Sequence, residues 1–325
     1  MLEKYHNEML SCTACAFCKK SYYEYEFAVK ESDYPKGKIM IAYGLFSKEI
    51  EENFETVKSL QKCTLCRRCE KDCPSLIKIS DVIKAGRFDL KQVLPQHKKM
   101  LENFEESNNI FGEKNFEKDG GKVAFFMGCL VNKEMRDSVI SLFDKIGIDV
   151  TIIGGCCGYP LEKIGRKVEV RIKNKIERKG IEKIVFSCPN GMIAFNEYNP
   201  VHISQFILSL NLNFKESGKR YIYHDSSFLG RYIGIYEEPR EIIRRIGNLI
   251  EFNENKDMAR QCGGEIEFKT VFPEEAEEIA KYLAKEAKDK DAIIVTSSPH
   301  CYSHLKEYAD TLDLIHLIEE NLIKN

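Results

Sequence analysis

The chain of 325 residues has no tryptophan, almost no net charge and no apolar run of membrane-spanning length. Lys+Arg 49 against Asp+Glu 51 leaves a formal charge of -2, so no global basic field draws nucleic acid or anionic lipid. The interleaved basic and aromatic residues of a nucleic-acid enzyme are missing as well. A spanning helix needs about 20 consecutive apolar residues, and the opening segment MLEKYHNEML lacks the apolar centre of a secretory signal. These absences predict a cytoplasmic protein with no transmembrane segment and no nucleic-acid partner. Lack of tryptophan beside abundant Lys, Glu and Ile matches the composition of hyperthermophile proteins. A hydrophobic content of 43% is ample for two or three domains with cores of their own.

What the chain does have is cysteine, 13 in all. Seven fall in two runs, Cys12-x2-Cys15-x2-Cys18 and Cys63-x2-Cys66-x2-Cys69-x3-Cys73-Pro74. The second has the full bacterial-ferredoxin spacing, in which three consecutive thiolates hold one [4Fe–4S] cube and the fourth reaches the other cluster. An odd total clustered at such spacings fits metal ligation in a reducing compartment better than a disulfide framework. The reading is iron–sulfur binding and electron transfer.

The first hundred residues are rich in cysteine and charge and poor in continuous apolar pattern, as in small domains stabilised by their metal sites. Between the runs, residues 37–60 carry apolar residues at helical spacing and predict helices. The polar stretch 105–121 reads as a linker. From Lys122 the pattern becomes alternating strand and helix, and it occurs twice. Strands are predicted before Cys129, Cys156 and Cys188, then again at 219–227 and 291–301; similar helices, HISQFILSL and LIHLIEENL, close both halves. The fold class expected is α+β and multidomain: a helical two-cluster ferredoxin-type domain over 1–104, the linker, and two repeated α/β domains over 122–213 and 214–325. In parallel α/β units ligands sit at the carboxyl ends of strands, and the cysteines fall there.

Aligning the halves sets Cys129 against Ser227, Cys156-Cys157-Gly158 against Gln261-Cys262-Gly263, and Cys188-Pro189-Asn190-Gly191 against Ser298-Pro299-His300-Cys301. A complete site of this pattern needs five thiolates. The first half holds four, with Gly191 at the fifth place; the second holds only Cys262 and Cys301. A cofactor is therefore expected in the first half, at Cys129, Cys156, Cys157 and Cys188, and none in the second, whose two cysteines read as vestigial thiols. His224 reads as a hydrogen-bonded structural histidine, with proton donation as its other reading, and His300 likewise. The pairs Gly154-Gly155 and Gly263-Gly264 lack a P-loop's Lys-Ser/Thr and a dinucleotide fingerprint, so they read as tight turns. Lys62, Arg67, Arg68 and Lys71 read either as a dock for an acidic redox partner or as a solvated face.

Two cysteine runs followed by two CCG-type domains resemble the D subunit of heterodisulfide reductase and its relatives, the iron–sulfur subunits of anaerobic glycerol-3-phosphate dehydrogenase, glycolate oxidase and lactate-utilisation enzymes. GKIMIAYGL at 37–45 and YHDSSFLGRYIGIYEEPREI at 223–242 carry the likeness; the latter resembles the family's YHDPCHLGR followed by GIYDEPRE. The resemblance implies two cubanes in the helical domain and CCG domains able to carry a noncubane [4Fe–4S] cluster, the site at which heterodisulfide reductases reduce their mixed disulfide. It also implies crossed ligation: Cys12, Cys15, Cys18 and Cys73 hold one complete cubane, while Cys63, Cys66 and Cys69 lack a fourth thiolate because Tyr22 stands at the family's cysteine position. The second cluster is then either [3Fe–4S] or a cube with an open or oxygen-ligated iron. For the first CCG domain, zinc, a cubane and an incomplete noncubane cluster remain open, although adjacent Cys156 and Cys157 suit a single tetrahedral ion poorly. The expected function is an iron–sulfur electron-transfer subunit of an anaerobic oxidoreductase of the heterodisulfide reductase type, served by a flavoprotein, ferredoxin or cytochrome subunit through which peripheral membrane association is possible. The alternative is a non-catalytic conduit whose CCG region is a structural or zinc-binding docking module.

Overall fold

Proline at the first helical position and an asparagine N-cap start the two helices predicted between the cysteine runs. In the computed structural model, which describes residues 1–22, 30–130, 133–178 and 180–323, they are Pro35–Ser47 and Phe54–Gln61. Asn53 accepts a hydrogen bond from Thr56 N at 3.0 Å, and Lys48, in left-handed backbone, ends the first. Helices Ile79–Asp89 and Pro95–Ser107 complete the N-terminal region. The stretch 105–121 leaves this last helix and lies along the second strand, where Lys118 and Ile152 exchange backbone hydrogen bonds.

Two four-stranded parallel sheets follow. The first contains β1 (Val123–Gly128), β2 (Val150–Gly154), β3 (Lys183–Phe186) and β4 (Val201–His202) in the order β2-β1-β3-β4. The second contains β5 (Arg220–His224), β6 (Asn248–Glu251), β7 (Ile293–Thr296) and β8 (Thr311–Asp313) in the order β6-β5-β7-β8. The central strands β1, β3, β5 and β7 are almost wholly buried, as expected of sheets covered on both faces. Topology and register repeat. Phe126 pairs with Phe186 and Phe186 with His202, while His224 pairs with Thr296 and Thr296 with Asp313. Three residues beyond Phe126 and His224 stand Cys129 and Ser227, so the register reproduces the alignment of the halves.

The halves are interlocked. The closing helix of each packs on the first helix of the other: Leu314–Asn321 on Lys133–Lys145, and Ile203–Ser209 on Glu237–Ile246. One core joins them, with Phe125, Val139 and Leu142 from the first half against Tyr221, Ile242 and Ile318 from the second. A second core joins Ile39, Val82 and Ile83 of the N-terminal region to Phe126 and Phe186 of the first half and Phe228 of the second. Packing thus seats the helical region against the carboxyl ends of the strands. No helix among the described residues is long and apolar enough to cross a membrane.

Candidate functional site: cysteine loops at the strand ends

The two cysteine runs wind alike. Ala14 and Ala16 in the first, and Leu65 and Arg67 in the second, all have φ between 54° and 66°. Non-glycine residues pay a conformational penalty there, and loops that fold back on a bound group are where such backbone concentrates. Cys12, Cys15 and Cys18 line one cavity of about 350 Å³ of empty space together with Cys73 from the other run, walled by Ile39, Ile77 and Pro74. Cys15 is exposed and Cys12 and Cys73 half-buried. The backbone N–H of Phe17, foremost, holds the Cys15 thiol below its usual pKa, whereas burial pushes that of Cys18 up to about 11.

Cys63, Cys66 and Cys69 are all buried. Burial raises the Cys63 and Cys69 thiols, and for Cys63 the nearby Arg87 and Lys38 oppose it. Arg87 is fully buried: its Nε donates to Leu60 O at 3.0 Å, its Nη1 to Lys163 O at 2.7 Å, and its Nη2 to Cys63 O. Lys38 Nζ donates to Ser32 O at 2.9 Å, and burial lowers its pKa to about 8. Two buried cations beside the second run suit an anionic group held there. The side chain of Tyr22 lies outside the described residues.

In the first half Cys129, Cys156, Cys157 and Cys188 are buried together at the ends of β1, β2 and β3. Cys156 hydrogen-bonds with Cys129, which foremost holds its thiol protonated; Cys157 is held likewise by Cys156, and Cys188, raised chiefly by burial, interacts with Cys157. The turn is sharp. Gly158 has φ 77°, and its N–H points to Cys156 Sγ at 3.4 Å. Gly191, where a fifth thiolate would stand, is filled against: a Cβ there would lie 3.0 Å from the Phe186 ring and 3.1 Å from that of Phe126. No three or more Cys, His, Asp or Glu side chains among the described residues converge as ligands of one metal ion.

The second half keeps the turn and exchanges the chemistry. Gly263 has φ 78°, and its N–H donates to Gln261 Oε1 at 2.9 Å, the amide oxygen replacing the thiol of Cys156. Arg240, in the GIYEEPRE stretch, forks onto both oxygens of Asp225 at 2.7 Å and pairs with Glu251, fixing the loop that follows His224. Cys262, Cys301, Ser227, Gln261 and Glu265 face Thr64 and Cys66 of the N-terminal region across a cleft of about 220 Å³.

Between the halves Lys163 is fully buried and bridges Glu265 and Glu267, the latter at 2.7 Å. Asn190 Nδ2 also donates to Glu265 at 3.0 Å, and His300, its counterpart in the repeat, interacts with the same carboxylate. Burial pulls the Lys163 pKa down and the two carboxylates more than restore it.

Lys62, Arg67 and Arg68 are partly or wholly buried in ion pairs, whereas Lys71 stays exposed. Lys62 pairs with Asp33 at 3.3 Å and Glu275 at 3.0 Å, Arg67 with Asp81 at 3.1 Å, Arg68 with Asp72 at 2.6 Å and Glu254 at 3.0 Å, and Lys71 with Asp257 at 3.2 Å. Glu275, Glu254 and Asp257 of the second half reach Lys62, Arg68 and Lys71, while the carboxylate of Arg67 is Asp81 of its own region. Lys38, Arg87, Lys163 and Arg231 have no signal in the sequence, because their partners lie on distant segments or are backbone carbonyls.

Residues 11–78 match the 4Fe-4S dicluster domain, and 123–195 and 221–306 match the CCG family, the Cysteine-rich domain. The class defined is therefore an iron–sulfur protein with a dicluster domain ahead of two cysteine-rich domains. The chain is 23% identical to the D subunit of the dihydromethanophenazine:CoB--CoM heterodisulfide reductase of Methanosarcina mazei, over 96% of this chain and 92% of that one. It is 28% identical to the B subunit of the fumarate reductase (CoM/CoB) of Methanothermobacter marburgensis, over 77% of this chain and 57% of that one. A hypothetical protein from Helicobacter pylori shares the fold at a TM-score of 0.57 with 10% identity, over 97% of this chain and 74% of that chain. The chain thus carries a 4Fe-4S dicluster domain and two CCG cysteine-rich domains, and the proteins it is similar to include the D subunit of heterodisulfide reductase.

Proposed function

We propose that the chain is the electron-transfer subunit of an oxidoreductase of the heterodisulfide reductase type, working with a flavoprotein, ferredoxin or cytochrome partner in a reducing, cytoplasmic compartment. The observation that carries this is the packing of the cysteine sites: one surface cavity is lined by Cys12, Cys15, Cys18 and Cys73, and Cys18, Cys63, Cys69 and Cys157 share one buried core. Electrons taken up at exposed Cys15 would pass inward from cluster to cluster. Crossed ligation is supported by Cys73 lining the cavity of the other run. The second cluster, on Cys63, Cys66 and Cys69, is [3Fe–4S] or a cube with one iron not held by thiolate. At Cys129, Cys156, Cys157 and Cys188 a cluster is favoured over zinc, because adjacent Cys156 and Cys157 suit a single tetrahedral ion poorly whereas a larger cluster accepts both.

Intrinsic heterodisulfide reduction is expected to be weak or absent, since phenylalanine rings crowd the fifth-ligand position at Gly191. Reduced viologen turning over the mixed disulfide at enzymatic rates would contradict this. Iron, acid-labile sulfide and zinc on anaerobically purified protein test the whole reading: about 11 to 12 iron with equal sulfide and no zinc is expected. About 7 to 8 iron would leave the CCG region without a cluster. Cys73→Ser is expected to abolish the paramagnetic signal of the cluster on Cys12, Cys15 and Cys18 and to spare that of its own run; the opposite loss would refute crossed ligation.

A further inference from the structure

Cys262 and Cys301 do not lie as two idle thiols would. Their sulfurs are 2.9 Å apart, although one belongs to the turn after β6 and the other to helix Pro299–Leu305. A disulfide bond is about 2.05 Å long, so closure needs less than about an ångström of movement. Both side chains are buried, and the cleft that reaches them is lined on its other wall by Cys66 of the second run. Arg231 spans that cleft, donating from Nη2 to Ser227 Oγ at 2.8 Å and from Nε to Cys66 O.

A proton acceptor is in place. His224 Nε2 lies 3.1 Å from Arg260 O, and a carbonyl only accepts, so the neutral ring carries its hydrogen on Nε2 and leaves the Nδ1 lone pair free. Nδ1 is buried with no nitrogen or oxygen partner among the described residues, and Cys301 is the thiol with which the ring interacts. The first half has nothing of the kind: Phe126 occupies the register position of His224, and Gly191 that of Cys301.

We propose that Cys262 and Cys301 form a dithiol–disulfide couple that stores an electron pair and exchanges it with the iron–sulfur cluster held by Cys63, Cys66 and Cys69. Reduction breaks the Sγ–Sγ bond: two electrons arrive singly from the cluster, reloaded between them by the redox partner, and two protons convert the sulfurs to thiols. Oxidation reforms the bond and returns both electrons; the Cys301 proton leaves to His224 Nδ1 and the Cys262 proton through the cleft. The electron donor rests on the iron–sulfur reading above, whereas the sulfur pair does not.

The test is peptide mass spectrometry after acid quench and alkylation of the anaerobic full chain, oxidised and then reduced with dithionite. Peptides carrying Cys262 and Cys301 are expected to be joined in the oxidised protein and separately alkylated after dithionite. Opening should be at least about tenfold slower in Cys66→Ser, while dithiothreitol opens the pair in both proteins. Two alkylated thiols in the oxidised wild type would overturn the proposal with no variant involved. So would loss of iron in Cys301→Ser, which would make the residue a metal ligand. Dithionite opening the pair equally fast in Cys66→Ser would overturn the cluster route. An iron-free chain would remove the donor together with the reading it rests on; a pair still opened by dithiothreitol tells that failure from one at the cysteines.

Discussion

The two CCG halves share strand order, register and the glycine turn, yet they have gone different ways at the carboxyl ends of their strands. In the first, four cysteines stay together and the fifth position is closed by Phe126 and Phe186 against Gly191. In the second, serine and glutamine replace thiols at Ser227, Gln261 and Ser298, and what is left is a sulfur pair beside His224. The backbone is indifferent to this exchange because Gly263 N finds an amide oxygen where Gly158 N finds a sulfur. A fold held by two cores and by interlocked helices does not need its cofactor loops to be alike, so their chemistry is free to diverge.

The sharpest break of the comparison is in metal content. Cys157→Ser is expected to lower iron by about four per chain, and Cys262→Ser to leave iron unchanged; elemental analysis of both variants decides it. Next comes the ion network on the boundary. Lys163→Met leaves Glu265 and Glu267 buried without their cation and is expected to cost about 3 to 5 kcal/mol in denaturant unfolding. The deficit should shrink as pH falls and the carboxylates take up protons.

Restoring the fifth thiolate is a smaller perturbation. Gly191→Cys is expected to destabilise by about 1 to 3 kcal/mol without adding iron, through contact with the Phe126 and Phe186 rings, as denaturant unfolding and elemental analysis would show. The smallest effect is in titration. His202 and Asp313, equivalent by register, each cap the closing helix of their half, His202 Nδ1 accepting from Ser204 N and Asp313 Oδ1 from Ile315 N at 2.9 Å. Burial lowers the His202 pKa to about 4 and raises that of Asp313 to about 7. For His202 the unfolded chain binds the extra proton between its two pKa values, so this cap loses stability as pH falls from about 6.5 to about 4. For Asp313 the folded chain binds it, so its stability is present below about 3.9 and lost as pH rises to about 7. His202→Asn and Asp313→Asn should therefore change the slope of unfolding free energy against pH in opposite directions, each by about 1.4 kcal/mol per pH unit.

Much of the fold was legible because its signals are local. The helix at 54–61 follows from apolar periodicity, that at 35–47 from apolar content behind a proline start, and the strands before Cys129, Cys156 and Cys188 from short continuous apolar runs. The alignment of the halves also survives in the register. Strands β4, β6 and β8 went unseen, being two to four residues long with no alternation to read. The cations round the second run went unrecognised because Lys38 sits in an ordinary helical stretch and the partners of Arg87 are carbonyls.

Spacing alone determined that this is an iron–sulfur protein: thiolates on one short loop reach one cluster whatever the rest of the chain does. The duplication likewise lies in the order of its motifs. Tertiary structure decided that Cys73 lines the cavity of the first run, that the Phe126 ring crowds the place of the fifth thiolate, that Glu275 and Glu254 of the second half reach Lys62 and Arg68, and that Cys262 meets Cys301. Each of these is a contact between segments far apart in sequence, set by how sheets and helices pack. No local pattern of residues encodes such a meeting.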